Sequence, residues 1–311
     1  MKFNKEQYGK ILIPMVTPFK EDQSLDLEKA EALARFLVQS NRADTLILCG
    51  TTGEFATMTF DERLALFKTI RAAVGNDIPL IAGVGCASTV ETIALAKAAV
   101  GLGYETLMVI APYFSKPSQP QIYEHFKQVA AAVDAHILLY NIPIFTGVNI
   151  DPDTLAALAK LDNVVAIKDE AELNPKQVTA YLNATPEDFI IYNGDDTMIL
   201  ETFAQGGGER IGGVVSGASH LLGQQIRQMI EDFLAGDVQK AAAMQRRIFP
   251  LLRIMGQNGR INPVALWKEA MRLGGLDGGI PRLPFTRGTE EEIAAVQQVM
   301  ETLDLVQLEN A

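Results

Sequence analysis

Short apolar runs alternate along this chain with longer segments of helical periodicity. The runs are rich in Val, Ile and Leu and are apolar almost throughout, which is typical of parallel strands that helices cover. Eight such units before residue 216 favour a closed (β/α)8 barrel over an open doubly wound sheet. The predicted strands are 11–16, 45–49, 79–83, 106–110, 136–140, 164–168, 189–192 and 211–215.

Helix start and stop signals stand between these runs. Thr59 with Glu62 has the spacing of a capping box, in which each residue satisfies a backbone N–H of the first turn. Gly75 and Gly101 stand where left-handed helix ends are expected. Helices are therefore predicted to connect the strands.

The chain length of 311 residues fits either two ordinary domains or one large barrel, so length does not choose between them. No linker rich in Pro, Gly or Ser separates the last predicted strand from the rest of the chain. We therefore predict a barrel domain over 1–235 and a helical extension over 236–311 that packs on it. The extension has three predicted helices, at 238–255, 263–273 and 290–303.

Composition excludes several classes of protein. The formal charge is −11, and the 27 basic residues form no stripe that could neutralise a nucleic-acid backbone. No run approaches the ~18 apolar residues of a membrane span. The first ten residues lack the apolar segment of a secretory signal, and two cysteines cannot make a disulfide framework. We expect an acidic soluble protein in the cytoplasm that binds neither nucleic acid nor membrane.

Three predicted strands end in reactive or polar side chains. Lys168 ends the sixth strand, Tyr140 ends the fifth, and Thr51 and Thr52 follow the second. Because the carboxyl ends of barrel strands form the active-site face, these residues are expected to share a site. A lysine there is either a surface cation that reaches solvent or a nucleophile, and the other equipped strand ends favour the nucleophile.

The residues expected to lie near this lysine can also be interpreted in chemical terms. Tyr140 suits either a buried aromatic or a proton relay beside an amine. The turn after the second strand offers two hydroxyls and backbone N–H groups, which suit a carboxylate. The three histidines and two cysteines have no ligand spacing, so no metal site is predicted.

Three motifs resemble those of the dihydrodipicolinate synthase and N-acetylneuraminate lyase superfamily. They are GTTGE at 50–54, YNIP at 140–143 and IKD at 167–169, and the resemblance extends from about residue 11 to about 285. It implies a class I aldolase or lyase that works through a lysine Schiff base and needs no metal or nucleotide. It also implies a homo-oligomer, usually a homotetramer built from dimers.

The resemblance also implies roles for individual residues. Lys168 would attack the keto carbon of pyruvate or another 2-keto acid, and Tyr140 would shuttle protons. Thr51 and Thr52 would hold the carboxylate, and the backbone near Val215 would close the site.

Several positions depart from the dihydrodipicolinate synthase pattern. Those enzymes carry an arginine five positions after the tyrosine, where this chain has Phe145, and a second tyrosine where this chain has Phe114 after Tyr113. The acidic residue of sialic acid lyases is replaced by Thr197. Tyr113 and Phe145 are the remaining candidates for substrate binding. At these positions the chain is nearer the 2-keto-3-deoxy-gluconate aldolases.

Three functions follow from these residues. The leading one is an aldolase that reversibly joins pyruvate to a small hydroxylated aldehyde, giving a 2-keto-3-deoxy sugar acid. The alternative is 4-hydroxy-tetrahydrodipicolinate synthase, which condenses pyruvate with aspartate semialdehyde, with carboxylate binding supplied from elsewhere. A sensor that only binds a keto acid is the third, but binding alone needs no covalent amine. We expect a dimer or tetramer with the helices after Gly236, or the loop of Tyr113 and Phe114, at a contact.

Overall fold

The strands of the computed structural model close a parallel barrel, with helices around it, in the order β1 to β8. The structure describes residues 4–170 and 174–306. The (β/α)8 prediction is confirmed, and each predicted strand is found with ends within two residues of those expected. The strands are β1 Ile11–Pro14, β2 Thr45–Leu48, β3 Leu80–Gly83, β4 Thr106–Ile110, β5 His136–Asn141, β6 Val164–Asp169, β7 Ile190–Asn193 and β8 Ile211–Val215.

Helices connect the strands and follow the last of them. The last three, α11 to α13, coincide with the helices predicted after residue 236. The division into a barrel domain over 1–235 and an extension over 236–311 stays a prediction. The helices are α1 Lys5–Tyr8, α2 Leu27–Gln39, α3 Phe60–Val74, α4 Thr89–Gly101, α5 Gln119–Ala132, α6 Pro143–Thr146, α7 Pro152–Leu158, α8 Gln177–Ala184, α9 Ile199–Arg210, α10 Ser219–Leu234, α11 Val238–Ile254, α12 Val264–Leu273 and α13 Glu290–Glu301.

By compactness the chain forms two units, and the first comprises residues 4–12 and 79–215. It contains β3 to β8, each strand pairing in parallel with the next. All residues of β4 and β5 are buried, as expected for strands that are covered on both faces. The register between β5 and β6 sets Tyr140 opposite Lys168 and Asn141 opposite Asp169.

The second unit comprises residues 13–78 and 216–306. It contains the end of β1, β2, α2, α3 and α10 to α13. The predicted capping box at the start of α3 is confirmed, with Thr59 and Glu62 each bonding the other's backbone N–H. Within the described residues, no helix has both the length and the apolar character needed to cross a membrane.

Two helix ends differ from the prediction of left-handed glycines. Gly75 caps α3 with a right-handed φ of −66°, and its N–H continues the helical pattern to Arg71. Gly101 is the last residue of α4, and the left-handed residue is Gly103, with a φ of 86°. Leu102 extends the turn between them by donating to the carbonyl of Ala98. Gly101 therefore marks the end of α4, as predicted, but the left-handed conformation is adopted by Gly103 instead.

Candidate active site

Lys168 and Tyr140 lie side by side at the ends of β6 and β5. Their Cα atoms are register partners, and Lys168 Nζ lies 3.9 Å from the centroid of the Tyr140 ring. The exposed fraction is 5% for the lysine and 1% for the tyrosine. The two residues predicted to carry the chemistry are thus in contact, with the cation over the aromatic face.

The opposite face of the same two strand ends is held by a buried amide network. Asn141 Nδ2 donates to Asp169 Oδ1 at 2.9 Å, and Gln177 Nε2 donates to the same oxygen at 3.2 Å. Burial raises the pKa of Asp169 to about 6, although these two hydrogen bonds oppose the shift. Because side chains alternate along a strand, this network fixes Asp169 on the face opposite Lys168.

Gly194, in the loop after β7, leaves the space that the lysine stem occupies. A Cβ added at Gly194 would lie 2.7 Å from Lys168 Cε, closer than carbon atoms approach. The Gly194 N–H donates to the carbonyl of Asp169 at 2.8 Å, which keeps the loop against the end of β6. The absence of a side chain at position 194 therefore sets where the lysine can lie.

Two carboxyl groups near this lysine were not predicted as site residues. Asp195 accepts from the N–H and the hydroxyl of Thr197, both at 2.8 Å, and burial raises its pKa. Glu170 follows β6 directly, and burial raises its pKa well above the usual value while the charge of Lys168 opposes that shift. Because side chains alternate along a strand, residue 170 is expected on the same face as Lys168, and this pattern could have predicted Glu170 from the sequence.

Two aromatic residues stand where the resemblance noted above implies polar ones. Phe114 follows β4 with 93% of its surface exposed and a left-handed φ of 70°. Phe145 lies in α6 and is 37% exposed, whereas Tyr113, which precedes Phe114 in the sequence, is half-buried. The side chain of Lys116 passes close to the end of α6, where a Cβ on Gly147 would lie 3.3 Å from Lys116 Cε. The stem of Lys116 therefore lies beside Gly147, two residues after Phe145 in the sequence.

The turn with Thr51 and Thr52 belongs to the second unit, and both threonines are half-buried. The turn is tight because Gly53 N–H donates to the carbonyl of Gly50. A Cβ on Gly53 would lie 3.0 Å from the carbonyl oxygen of Met15, so glycine fits this close approach. Val215, the other predicted binding residue, is buried at the end of β8 in the first unit.

Glu54 ends this turn in a buried ion pair that the sequence did not predict. Its Oε1 lies 2.5 Å from Lys268 Nζ, and its Oε2 accepts the N–H of Arg282 at 2.7 Å. Lys268 also donates to the carbonyls of Thr17 and Ile280, both at 2.7 Å. Burial lowers the pKa of Lys268 to about 8, so the ammonium is charged at pH 7 with its three protons all used. This lysine therefore has a structural role.

No group of three or more His, Cys, Asp or Glu within 4–170 and 174–306 could hold a metal ion. A (β/α)8 barrel with a buried lysine near the end of its sixth strand, next to a tyrosine near the end of its fifth, has the arrangement of a Schiff-base aldolase.

Comparison with known proteins identifies the family. The chain belongs to the Dihydrodipicolinate synthetase family, whose model matches residues 7–303. It is 44% identical over 286 residues to the 4-hydroxy-tetrahydrodipicolinate synthase of Moorella thermoacetica, covering 92% of this chain and 95% of the relative. It is 43% identical over 285 residues to that of Desulforudis audaxviator, covering 92% and 94%.

Solved structures agree with this assignment. The dihydrodipicolinate synthase of Cyanidioschyzon merolae with lysine bound has a TM-score of 0.90 and 36% identity, over 96% of this chain and 99% of that one. The enzyme of Bacillus anthracis has a TM-score of 0.88 and 36% identity, over 97% and 99%.

The family settles the class of enzyme. Its members are Schiff-base, pyruvate-dependent class I aldolases and synthases that work without a metal, and this chain is an enzyme of that class. The predicted family and enzyme class are confirmed. The names of the relatives favour the alternative aldehyde, aspartate semialdehyde, over the sugar-acid reading that the sequence put first.

Proposed function

We propose that this enzyme condenses pyruvate with aspartate semialdehyde through an imine on Lys168, as a 4-hydroxy-tetrahydrodipicolinate synthase. The observation that carries the chemistry is the buried contact between Lys168 Nζ and the Tyr140 ring at 3.9 Å. The aldehyde is supported by the names of relatives that are 44% and 43% identical over nine-tenths of the chain.

Each of the candidate residues has a role in the proposed reaction. The amine of Lys168 attacks the keto carbon of pyruvate, and the resulting carbinolamine loses water to give the imine. Tyr140 moves the proton that converts the imine to the nucleophilic enamine. Thr51 and Thr52 hold the carboxylate of pyruvate, and the backbone near Val215 closes the site. Tyr113 and Phe145 contact the aldehyde.

This reading needs a cation for the carboxylate of the aldehyde, since Phe145 replaces the arginine of the family pattern. Lys116 is the candidate, because its stem packs against Gly147 at the end of the helix that carries Phe145. Lys116 is exposed and forms no ion pair with another described residue. A hydrogen bond from this ammonium to the substrate would contribute roughly 1.5 to 3 kcal/mol.

A second candidate function is favoured by the same Phe145. Its phenyl ring offers no charge, which suits a neutral hydroxylated aldehyde and hence a 2-keto-3-deoxy sugar acid. The two functions share the imine on Lys168 and differ only in the acceptor.

Initial rates with pyruvate and either aspartate semialdehyde or glyceraldehyde separate the two candidates. We expect the wild type to have the higher kcat/KM for aspartate semialdehyde. Lys116→Met should lower that value by about 10- to 150-fold and leave glyceraldehyde unchanged. Phe145→Arg should restore the loss. Lys160→Met, at another exposed lysine, is the matched control. A wild-type preference for glyceraldehyde, unaffected by Lys116→Met, would establish the sugar-acid function instead.

The homo-oligomer and the cytoplasmic location stay predictions from the sequence. Both candidate functions take small-molecule partners, a 2-keto acid and an aldehyde.

A further inference from the structure

Glu170 continues the strand that carries the reactive lysine. Its N–H donates to the carbonyl of Asn141 at 3.0 Å, one step beyond the last register pair of β5 and β6. Side chains alternate along such a strand, so Glu170 and Lys168 lie on one face and Asp169 lies on the other. The bonds of Asp169 to Asn141 and Gln177 identify its face as the opposite one.

The Glu170 carboxyl lies near the stem of the lysine. The Cβ position of Gly194 lies 2.7 Å from Lys168 Cε and 3.1 Å from Glu170 Oε2. These two atoms are therefore no further apart than the sum of those distances. A molecule joined to the lysine nitrogen would have this carboxyl beside it.

The surroundings of the Glu170 carboxyl favour its protonated form. It accepts no hydrogen bond from any residue in the described part of the chain. The charged groups that act on it are Lys168 on the same face of β6, Asp195 and Asp196 from the loop after β7, and Asp169 from the opposite face of β6. Burial, followed by these three acids, raises the pKa of Glu170 well above its usual value, and Lys168 alone opposes them. Glu170 thus keeps its proton to a higher pH than an ordinary glutamic acid.

We propose that Glu170 is a further catalytic residue, the acid that protonates the aldehyde oxygen as the new carbon–carbon bond forms. The inference rests on the imine proposed above for Lys168. The enamine π pair forms the bond to the aldehyde carbon, and the nitrogen lone pair restores the iminium. The carbonyl π pair moves to the aldehyde oxygen, which takes the proton of Glu170. The carboxylate that remains faces the iminium cation, which stabilises it.

Glu170→Gln tests this role, because glutamine keeps the shape and can donate a hydrogen bond but cannot transfer a proton. We expect borohydride to trap pyruvate on Lys168 in the variant as in the wild type. Exchange of the pyruvate methyl protons with D2O, which reports enamine formation, should also persist. Condensation with the better of aspartate semialdehyde and glyceraldehyde should lose ~10²- to 10⁴-fold in kcat. Glu187→Gln, at an exposed acid, is the control that should change none of these.

The pH profile of kcat provides the second readout. Since the acid form is the active one, the rate should fall as pH rises through the pKa of Glu170. This alkaline limb should vanish in Glu170→Gln and persist in Glu170→Asp, with a lower plateau. Wild-type kcat and an unchanged limb in Glu170→Gln would overturn the role. Loss of trapping or exchange in that variant would place Glu170 at the pyruvate steps instead. A wild type without any adduct would refute the proposed function itself.

Discussion

Lys268→Met should destabilise the fold by roughly 3 to 5 kcal/mol, the cost of leaving one member of a buried ion pair alone. The Lys268 ammonium is 2.5 Å from the Glu54 carboxylate, and the side chains are 1% and 0% exposed. It also satisfies the buried carbonyls of Thr17 and Ile280. Methionine keeps most of the stem volume, so the loss comes from the charge and the hydrogen bonds.

The pair formed by Lys29 and Asp277 provides a matched control. Its nitrogen and oxygen are also 2.5 Å apart, but the side chains are 33% and 63% exposed. Water screens this pair, so Lys29→Met should cost less than about 1 kcal/mol. Lys268 differs from Lys29 in its burial and in its two hydrogen bonds to backbone carbonyls, and these are the causes being tested.

The assay is urea unfolding at pH 7, followed by circular dichroism, with Glu54→Gln and the double variant Glu54→Gln/Lys268→Met included. The loss of unfolding free energy in the double variant should be smaller than the sum of the losses in the two single variants. The difference should exceed about 1 kcal/mol, because the double variant leaves no unpaired carboxylate. Since Glu54 ends the turn of Thr51 and Thr52, which we propose to hold the pyruvate carboxylate, Lys268→Met should also raise KM for pyruvate. Equal losses for the two lysine variants, or additive single losses, would refute this reasoning.

Three other predictions concern the lysine, its neighbouring strand face and the assembly. Gly194→Ala should slow borohydride trapping of pyruvate, because the new Cβ meets Lys168 Cε at 2.7 Å; an unchanged trapping rate would contradict it. Asp169 is protonated in both states below about pH 4, and above its native pKa of about 6 its ionisation penalises the native state by up to about 3 kcal/mol. The Asp169→Asn variant should therefore become more stable relative to the wild type as the pH rises from 4 to 7. A difference in the free energy of urea unfolding that stays constant over this range would exclude this explanation. Light scattering should give a dimer or tetramer, which Phe114→Asp weakens, and a 33.9 kDa monomer at micromolar concentration would argue against the predicted contact.

The strands and the reactive residues at their ends could be predicted because both are local features. A run such as 164–168 shows its apolar character and its terminal lysine without reference to any other segment. The closed barrel then brings the ends of β5 and β6 together, which placed Tyr140 beside Lys168. Two residues that are 28 positions apart could thus be paired through the fold class alone.

Other parts of the site depend on tertiary contacts that no local pattern contains. Glu54 and Lys268 are 214 positions apart, and each looks in the sequence like an ordinary surface charge. Glu170 follows the predicted end of its strand, so alternation was not extended to it. Its proximity to Lys168 also depends on Gly194, because a side chain at position 194 would occupy the space between the two residues.

Borohydride trapping tests the central claim most directly, because it reports the covalent bond on which both aldehyde readings depend. Incubation of the wild type with pyruvate and borohydride should add a reduced three-carbon adduct to the peptide that contains Lys168, and Lys168→Ala should remain unmodified. The buried Lys268 is the internal comparison, since its ammonium is fully hydrogen-bonded. An unmodified wild-type protein, or an adduct on Lys268 rather than Lys168, would contradict the account.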